Sequence, residues 1–144
     1  RQLEAELERS RRYANPLSAL LIDLDRFQTV NDHFGRATGD QVLRELVATL
    51  GANKRTTDIL GRWGGDRFIL VAPDTGLEGA TTMAQHLHDL VGARDFDPVA
   101  LLQCSTGVTA YHPGDSVCDL VERLEGSLHE AKRRGRNQIM VADA

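Results

Sequence analysis

Residues Leu17 to Leu24 form a short, nearly all-apolar run that closes on Asp23-Leu24-Asp25. A strand wetted on one face alternates apolar and polar side chains, whereas an unbroken apolar run suits a strand covered on both faces. This one segment therefore calls for a sheet with helices on each side. Its last turn of sequence carries the first candidate chemistry. Residues two apart on a strand face the same way, so Asp23 and Asp25 can converge at the strand's C-terminal edge, where open α/β sheets place ligands. Oxygen donors of that kind suit Mg²⁺ carrying phosphates rather than zinc; the plain alternative is that each Asp caps the segment after it.

The remaining chain supplies the layers. Residues 2–14 carry alternating charges with Leu3 and Leu7 at helical spacing, and Pro16 ends that helix. A polar helical segment runs through Val30 and Phe34 to a break at Gly35, and Gly39-Asp40 opens a second helix. There Val42, Leu43, Leu46, Val47 and Leu50 share a face, and Asp40 at the start complements the dipole. Ile59 to Trp63, Gly64-Gly65-Asp66 and Phe68 to Val71 read as a hairpin, because glycine tolerates positive φ in the turn. After a turn at Pro73 to Gly76, Leu77 to Val91 is helical with Ala80, Met83, Ala84, Leu87 and Val91 inward. Val99 to Ala110 reads as a strand. Asp115 or Ser116 caps a further helix with Val117, Leu120, Val121, Leu124, Leu128 and Ala131 on its apolar face, and Ile139 to Val141 is a closing strand. Alternating strands and helices without linkers or repeats predict one α/β domain over residues 1–144.

Composition narrows the function. The 144 residues fit one core, and a net charge of −4 provides no field for nucleic acid or an anionic membrane. The basic run Lys132-Arg133-Arg134-Gly135-Arg136 therefore calls for a local role, and no aromatic side chains interleave it as in a nucleic-acid face. No apolar stretch reaches the length of a membrane span. Cys104 and Cys118 lack metal-ligand spacing and read as reduced thiols, which predicts a cytoplasmic setting. The chain begins at Arg1 within a charged helical pattern, as a fragment of a longer protein would. A calcium loop, a GxxxxGK[ST] phosphate loop and an HExxH zinc site are all absent.

Leu21-Ile22-Asp23-Leu24-Asp25-Arg26-Phe27, then Val30-Asn31-Asp32 through Phe34-Gly35, then Gly39-Asp40, resembles the first half of the GGDEF family. Arg62-Trp63-Gly64-Gly65-Asp66-Arg67-Phe68 is similar to its signature hairpin except at one position. Ser105-Thr106-Gly107-Val108 and Ala131-Lys132-Arg133-Arg134-Gly135-Arg136-Asn137 resemble its closing motifs. The resemblance runs from about Pro16 to Val141 in the family's order; the family's N-terminal hairpin is missing from this fragment. It implies a ferredoxin-like α/β nucleotidyl cyclase fold, with a central mixed sheet of about five strands and helices on both faces. Active members are diguanylate cyclases, which condense two GTP into cyclic di-GMP across a homodimer, with Mg²⁺ (or Mn²⁺) at each GTP.

The resemblance also implies roles. Asp23 and the Leu24 carbonyl sit at the metal, with Asp66 as the second acidic group. Asn31 and Asp40 read the guanine. Gly64 and Gly65 let the backbone approach the phosphates, and Lys132 and Arg136 hold the triphosphate.

Two departures stand out. Arg67 occupies the position of the signature Glu, a two-unit charge change beside a divalent cation. At ~6 Å the repulsion is roughly 5 kcal/mol at an effective dielectric near 20. Arg36 stands where the family usually has His. A further feature is retained: Arg55-Thr56-Thr57-Asp58 lies five residues upstream of Gly64, as the family's RxxD inhibitory site does. There Arg55 offers a planar fork to phosphate or the guanine Hoogsteen edge, and Asp58 accepts from guanine N1 and N2. The leading expectation is a degenerate GGDEF domain that binds cyclic di-GMP at Arg55 and Asp58 as a receptor or regulatory module. The alternatives are a weakly active diguanylate cyclase and a GTP-binding regulator of a fused phosphodiesterase. The parent protein is expected to carry fused sensor or phosphodiesterase domains, and this domain to make no direct membrane contact.

Overall fold

A computed structural model describes residues 5, 8–10, 12 and 14–143. Of the first expected helix, positions 5, 8–10 and 12 are helical, while Leu3 and Leu7 lie outside the described residues. The elements that follow are β1 (Leu17–Leu24), α1 (Phe27–Phe34), α2 (Arg36–Asn53), β2 (Ile59–Gly64), β3 (Arg67–Pro73), α3 (Leu77–Ala93), β4 (Cys104–Ala110), α4 (Val117–Arg133) and β5 (Ile139–Ala142).

β1 is the centre of a five-stranded sheet ordered β2-β3-β1-β4-β5. It pairs antiparallel with β3 and β4, while β4 and β5 run parallel, so the sheet is mixed. Every residue of β1 is buried, as its unbroken apolar run requires. Leu20, Ile22 and Leu24 pack with Phe68 and Leu70 against α1, α2 and α3. Leu17, Ala19 and Leu21 pack with Ile69 and Val71 against Leu120, Leu124 and Leu128 of α4. Each such leucine contributes about 2 kcal/mol by burial. The period of two carries the second set on to Asp23, which therefore faces α4.

Two local features fix α4. Its N-terminus has a complete capping box, with Asp119 N–H donating to Ser116 Oγ at 3.1 Å and Ser116 N–H donating to Asp119 at 3.0 Å. Asp115, the other cap candidate, instead holds Arg123 at 2.6 Å. Along the body of the helix, α4 lies directly on Gly107 of β4. A Cβ there would come within 2.7 Å of the Leu124 carbonyl and 2.8 Å of the Leu128 amide. Only glycine allows this contact, and it sets the height at which Lys132 meets the sheet.

Three expectations need correction. α2 begins at Arg36, not at Gly39-Asp40, because Gly35 at φ 92 breaks the chain and the helix restarts at once. Asp40 is therefore in its second turn and caps nothing. Val47 is 42% exposed rather than part of the apolar face. The fourth strand starts at Cys104; Val99 and Leu102 are buried against the core, but only an isolated bridge from Phe96 to Val99 precedes the ladder.

Candidate functional site

Asp23, the penultimate residue of β1, has 2% of its surface exposed, and its position opposite Arg67 in the β1–β3 register brings the hairpin to it. Asp23 Oδ2 accepts from Arg67 Nε at 3.2 Å and from Lys132 Nζ, so two cations share one carboxylate oxygen. Asp23 Oδ1 is buried and has no hydrogen-bond partner. The turn above is tied down from both sides. Leu24 N–H donates to the Asp66 carbonyl at 3.2 Å, and Arg62 Nε donates to the Gly65 carbonyl at 2.9 Å. Gly65 adopts φ 50, the left-handed conformation that favours glycine, and a Cβ on Gly64 or Gly65 would meet nothing within 4 Å. Burial, and after it the negative charge of Asp23, pushes the Asp66 carboxyl above the ordinary carboxylate range.

Asp25 lies on the same face as Asp23 but serves another purpose. Its Oδ1 accepts from Ser105 Oγ at 2.6 Å and its Oδ2 from Asn137 N–H at 2.8 Å. It thereby anchors the loop after α4, where Gly135, Arg136 and Asn137 run through positive φ at 117, 65 and 48°. Arg136 Nη1 stands 4.0 Å from Asp25. The sequence placed Asp25 on this face, but its anchoring role depends on partners 80 and 112 residues away. Arg62 and its grip on the turn were also missed; its place directly before Trp63-Gly64-Gly65 is the one signal that pointed to it.

Asn31, on α1, turns its amide against α2 at Gly39. A Cβ at that glycine would lie 1.8 Å from Asn31 Oδ1, which explains the glycine. Asn31 Oδ1 is buried without a partner, like Asp23 Oδ1. These are the two orphaned buried side-chain atoms among the described residues, and both belong to residues singled out from the sequence. Asp40 is exposed one position on and lines a cavity of about 640 Å³ with Leu43, Arg44, Val47, Arg62 and Phe68.

Arg55 and Asp58 sit at the opposite end of β3, about 20 Å from Arg67 by strand rise. Arg55 Nη2 donates to Asp58 Oδ1 at 2.8 Å, to the Pro73 carbonyl at 3.2 Å, and to Thr75 Oγ1. Arg55 N–H donates to Asp58 Oδ2 at 2.9 Å. The Asp58 side chain is 0% exposed and that of Arg55 is 48% exposed. Asp58 therefore faces inward with both oxygens engaged, and a ligand reaching it would first have to displace Arg55. The hydrogen bond that Arg55 donates to Asp58 raises the Arg55 pKa further, so the guanidinium stays charged.

The donor set at Asp23 can be tested against a divalent cation. Mg²⁺ wants a near-octahedral shell of oxygens. The orphaned Asp23 Oδ1 is suited to it, and Asp66 and the Leu24 carbonyl are the other oxygens expected there, but Arg67 and Lys132 already neutralise Asp23. No group of three or more His, Cys, Asp or Glu side chains converges anywhere among the described residues. Without a nucleotide phosphate to complete the shell, this arrangement is a poor match to a resident divalent cation, because Arg67 and Lys132 already neutralise Asp23. Neither cysteine contributes: burial pushes the Cys104 thiol up to about 12, and Cys118 is a free exposed thiol.

With this geometry in place, comparison with known proteins is informative. The family model described as diguanylate cyclase, GGDEF domain, matches residues 1–138. The chain is 36% identical over 129 residues to diguanylate cyclase DgcM of Escherichia coli strain K12, covering 90% of this chain and 32% of DgcM. It thus spans about a third of that relative's length. Among solved structures, the active GGEEF domain of a diguanylate cyclase from Vibrio cholerae superposes with a TM-score of 0.92 at 32% identity, covering 97% of this chain and 91% of that one. The GGDEF domain of DgcB from Caulobacter crescentus, solved in complex with c-di-GMP, shares the fold with a TM-score of 0.91 at 24% identity, covering 97% and 85%. A family match across nearly the whole chain, on a sheet whose buried central strand ends in the acid that meets the signature hairpin, leads to one conclusion: the chain belongs to the GGDEF domain family.

Proposed function

We propose that this domain is impaired as a cyclase and acts as a cyclic di-GMP receptor or regulatory module through Arg55. The observation that carries the first half is Arg67 Nε at 3.2 Å from Asp23 Oδ2. The residue in the signature Glu position is engaged with the acid that the family pattern assigns to the metal. A cation entering there would meet a guanidinium instead of a third carboxylate. Since 1.4 kcal/mol is tenfold, even a fraction of the ~5 kcal/mol repulsion would weaken metal binding by one or two decades.

The second half rests on the intact RxxD segment and its geometry. Arg55 presents a half-exposed guanidinium whose orientation is set by Asp58, Pro73 and Thr75. Such a fork suits the bidentate recognition of a phosphate or a guanine edge. The same type of domain in DgcB is solved with c-di-GMP. Calorimetric titration with cyclic di-GMP tests the reading: binding at micromolar concentration that Arg55→Ala abolishes is expected. No binding at tens of micromolar, or unchanged binding in Arg55→Ala, would sink it.

A weakly active cyclase is the second reading. It is favoured by the 38% exposure of the Arg67 side chain, which gives the long stem room to leave Asp23. Asn31, Asp40, Lys132 and Arg136 would then hold GTP as in the family pattern. Product formed by wild-type homodimer with GTP and Mg²⁺ or Mn²⁺ would select it.

A further inference from the structure

Two negative and two positive side chains meet where the signature turn reaches the end of β1. Asp23 accepts from both Arg67 and Lys132, and Asp66 sits beside them, its carbonyl accepting from the Leu24 N–H at 3.2 Å. With a glutamate at position 67 the four groups would sum to −2, the charge that one divalent cation cancels. With Arg67 they sum to zero with no metal at all. The disagreement between the donor set and a divalent cation is thus a charge already balanced from within the chain.

Arg67 also retains capacity. A guanidinium carries five N–H donors in a planar fork. Arg67 commits Nε to Asp23, and its Nη1 and Nη2 make no hydrogen bond among the described residues. Beside it, Gly64 and Gly65 leave open space on the backbone. Lys132, with 24% of its side chain exposed, shares Asp23 with Arg67, and Arg136, with 37%, stands 4.0 Å from Asp25 just beyond the same strand. Three cations and an open glycine turn at one end of the sheet are what a triphosphate lacking its metal requires.

We infer that Arg67 stands in for the divalent cation, so that this domain binds a guanine nucleoside triphosphate on Arg67, Lys132 and Arg136 without metal. The inference rests on reading this end of the sheet as a nucleotide site. A metal-bound triphosphate arrives with two fewer negative charges and meets Arg67, so added Mg²⁺ gives no gain in affinity.

The test is a calorimetric titration with GTP in millimolar Mg²⁺ and in excess EDTA, for wild type, Arg67→Glu and Arg67→Gln. Wild type is expected to bind with dissociation constants within about threefold of each other in the two buffers. Arg67→Glu should weaken at least about tenfold in EDTA and recover in Mg²⁺. Arg67→Gln, the milder change, should also weaken in EDTA. A second readout uses Mn²⁺ alone, followed by its paramagnetic resonance signal: wild type leaves the free-ion signal unchanged and Arg67→Glu depletes it. The inference is overturned by wild-type binding that needs Mg²⁺, by no GTP binding in either buffer, by EDTA-resistant binding that survives in Arg67→Gln, or by Mn²⁺ capture in wild type. Cyclic di-GMP titrated against Arg55→Ala reads the other end of β3, so failure at one site is told apart from failure at the other.

Discussion

The two ends of β3 each join an arginine to a buried aspartate, and the two pairs are finished differently. Asp58 and Asp23 are both 2% exposed. Asp58 has both oxygens occupied, by the side chain and the backbone N–H of the same Arg55. Asp23 takes two cations on Oδ2 and leaves Oδ1 buried with nothing. An orphaned buried oxygen costs about 1–3 kcal/mol, and proteins rarely retain one without a use. The comparison separates a closed pair, which aims an arginine at solvent, from an open one, which keeps an acceptor in reserve. Asn31 Oδ1, the other orphan, also lies among the expected nucleotide-reading positions.

Removing the arginine at each end is the most forceful way to break this contrast. Arg55→Ala strips Asp58 of its side-chain partner while leaving it buried. Half-exposure of Arg55 moderates the penalty, so a stability loss of about 2 kcal/mol is expected in urea unfolding, with loss of cyclic di-GMP binding in titration. Gly39→Ala comes next: the new Cβ would displace the Asn31 amide, 1.8 Å away. The obstacle is a side-chain tip that can swing, so a loss of about 1 kcal/mol is expected, with at least tenfold weaker GTP binding. Arg67→Gln should cost less than about 1 kcal/mol in the same unfolding assay, because Lys132 still pairs with Asp23. A loss as large as that of Arg55→Ala would erase the distinction between the two ends.

The smallest effect is a pH dependence at the Arg67 end. Asp66 has its folded pKa raised by burial and by Asp23. Its contribution to stability is therefore fully present below the unfolded carboxylate pKa and is lost as pH rises through the folded value. Asp66→Asn should raise Tm at neutral pH, and this advantage should vanish in acid, as a thermal melt series across pH would show. A variant less stable than wild type at neutral pH would argue that Asp66 is held by partners rather than opposed by its neighbour.

Much of this was legible beforehand because β1 is so constrained. An unbroken apolar run implied two covered faces, and its period of two placed Asp23 and Asp25 toward one helix. The hairpin was equally readable from its glycines. Other features depend on contacts that no local pattern records. The start of α2 was misplaced because Gly39 looks like a helix opener, whereas it is there to admit Asn31. Val99 to Gln103 carries a strand's apolar character without joining the ladder, since Val99 N–H turns back to the Phe96 carbonyl at 2.9 Å. The inward turn of Asp58 depends on Pro73 and Thr75 steadying Arg55 from the far side of the hairpin.

The central claim, that Arg67 has taken the place of metal chemistry at Asp23, is tested most directly by one assay. Wild type and Arg67→Glu are incubated as homodimers with GTP and Mg²⁺, and cyclic di-GMP is quantified. The account predicts little or no product from wild type and at least a tenfold rise in Arg67→Glu. Robust product from wild type at a rate that Arg67→Glu leaves unchanged would contradict it.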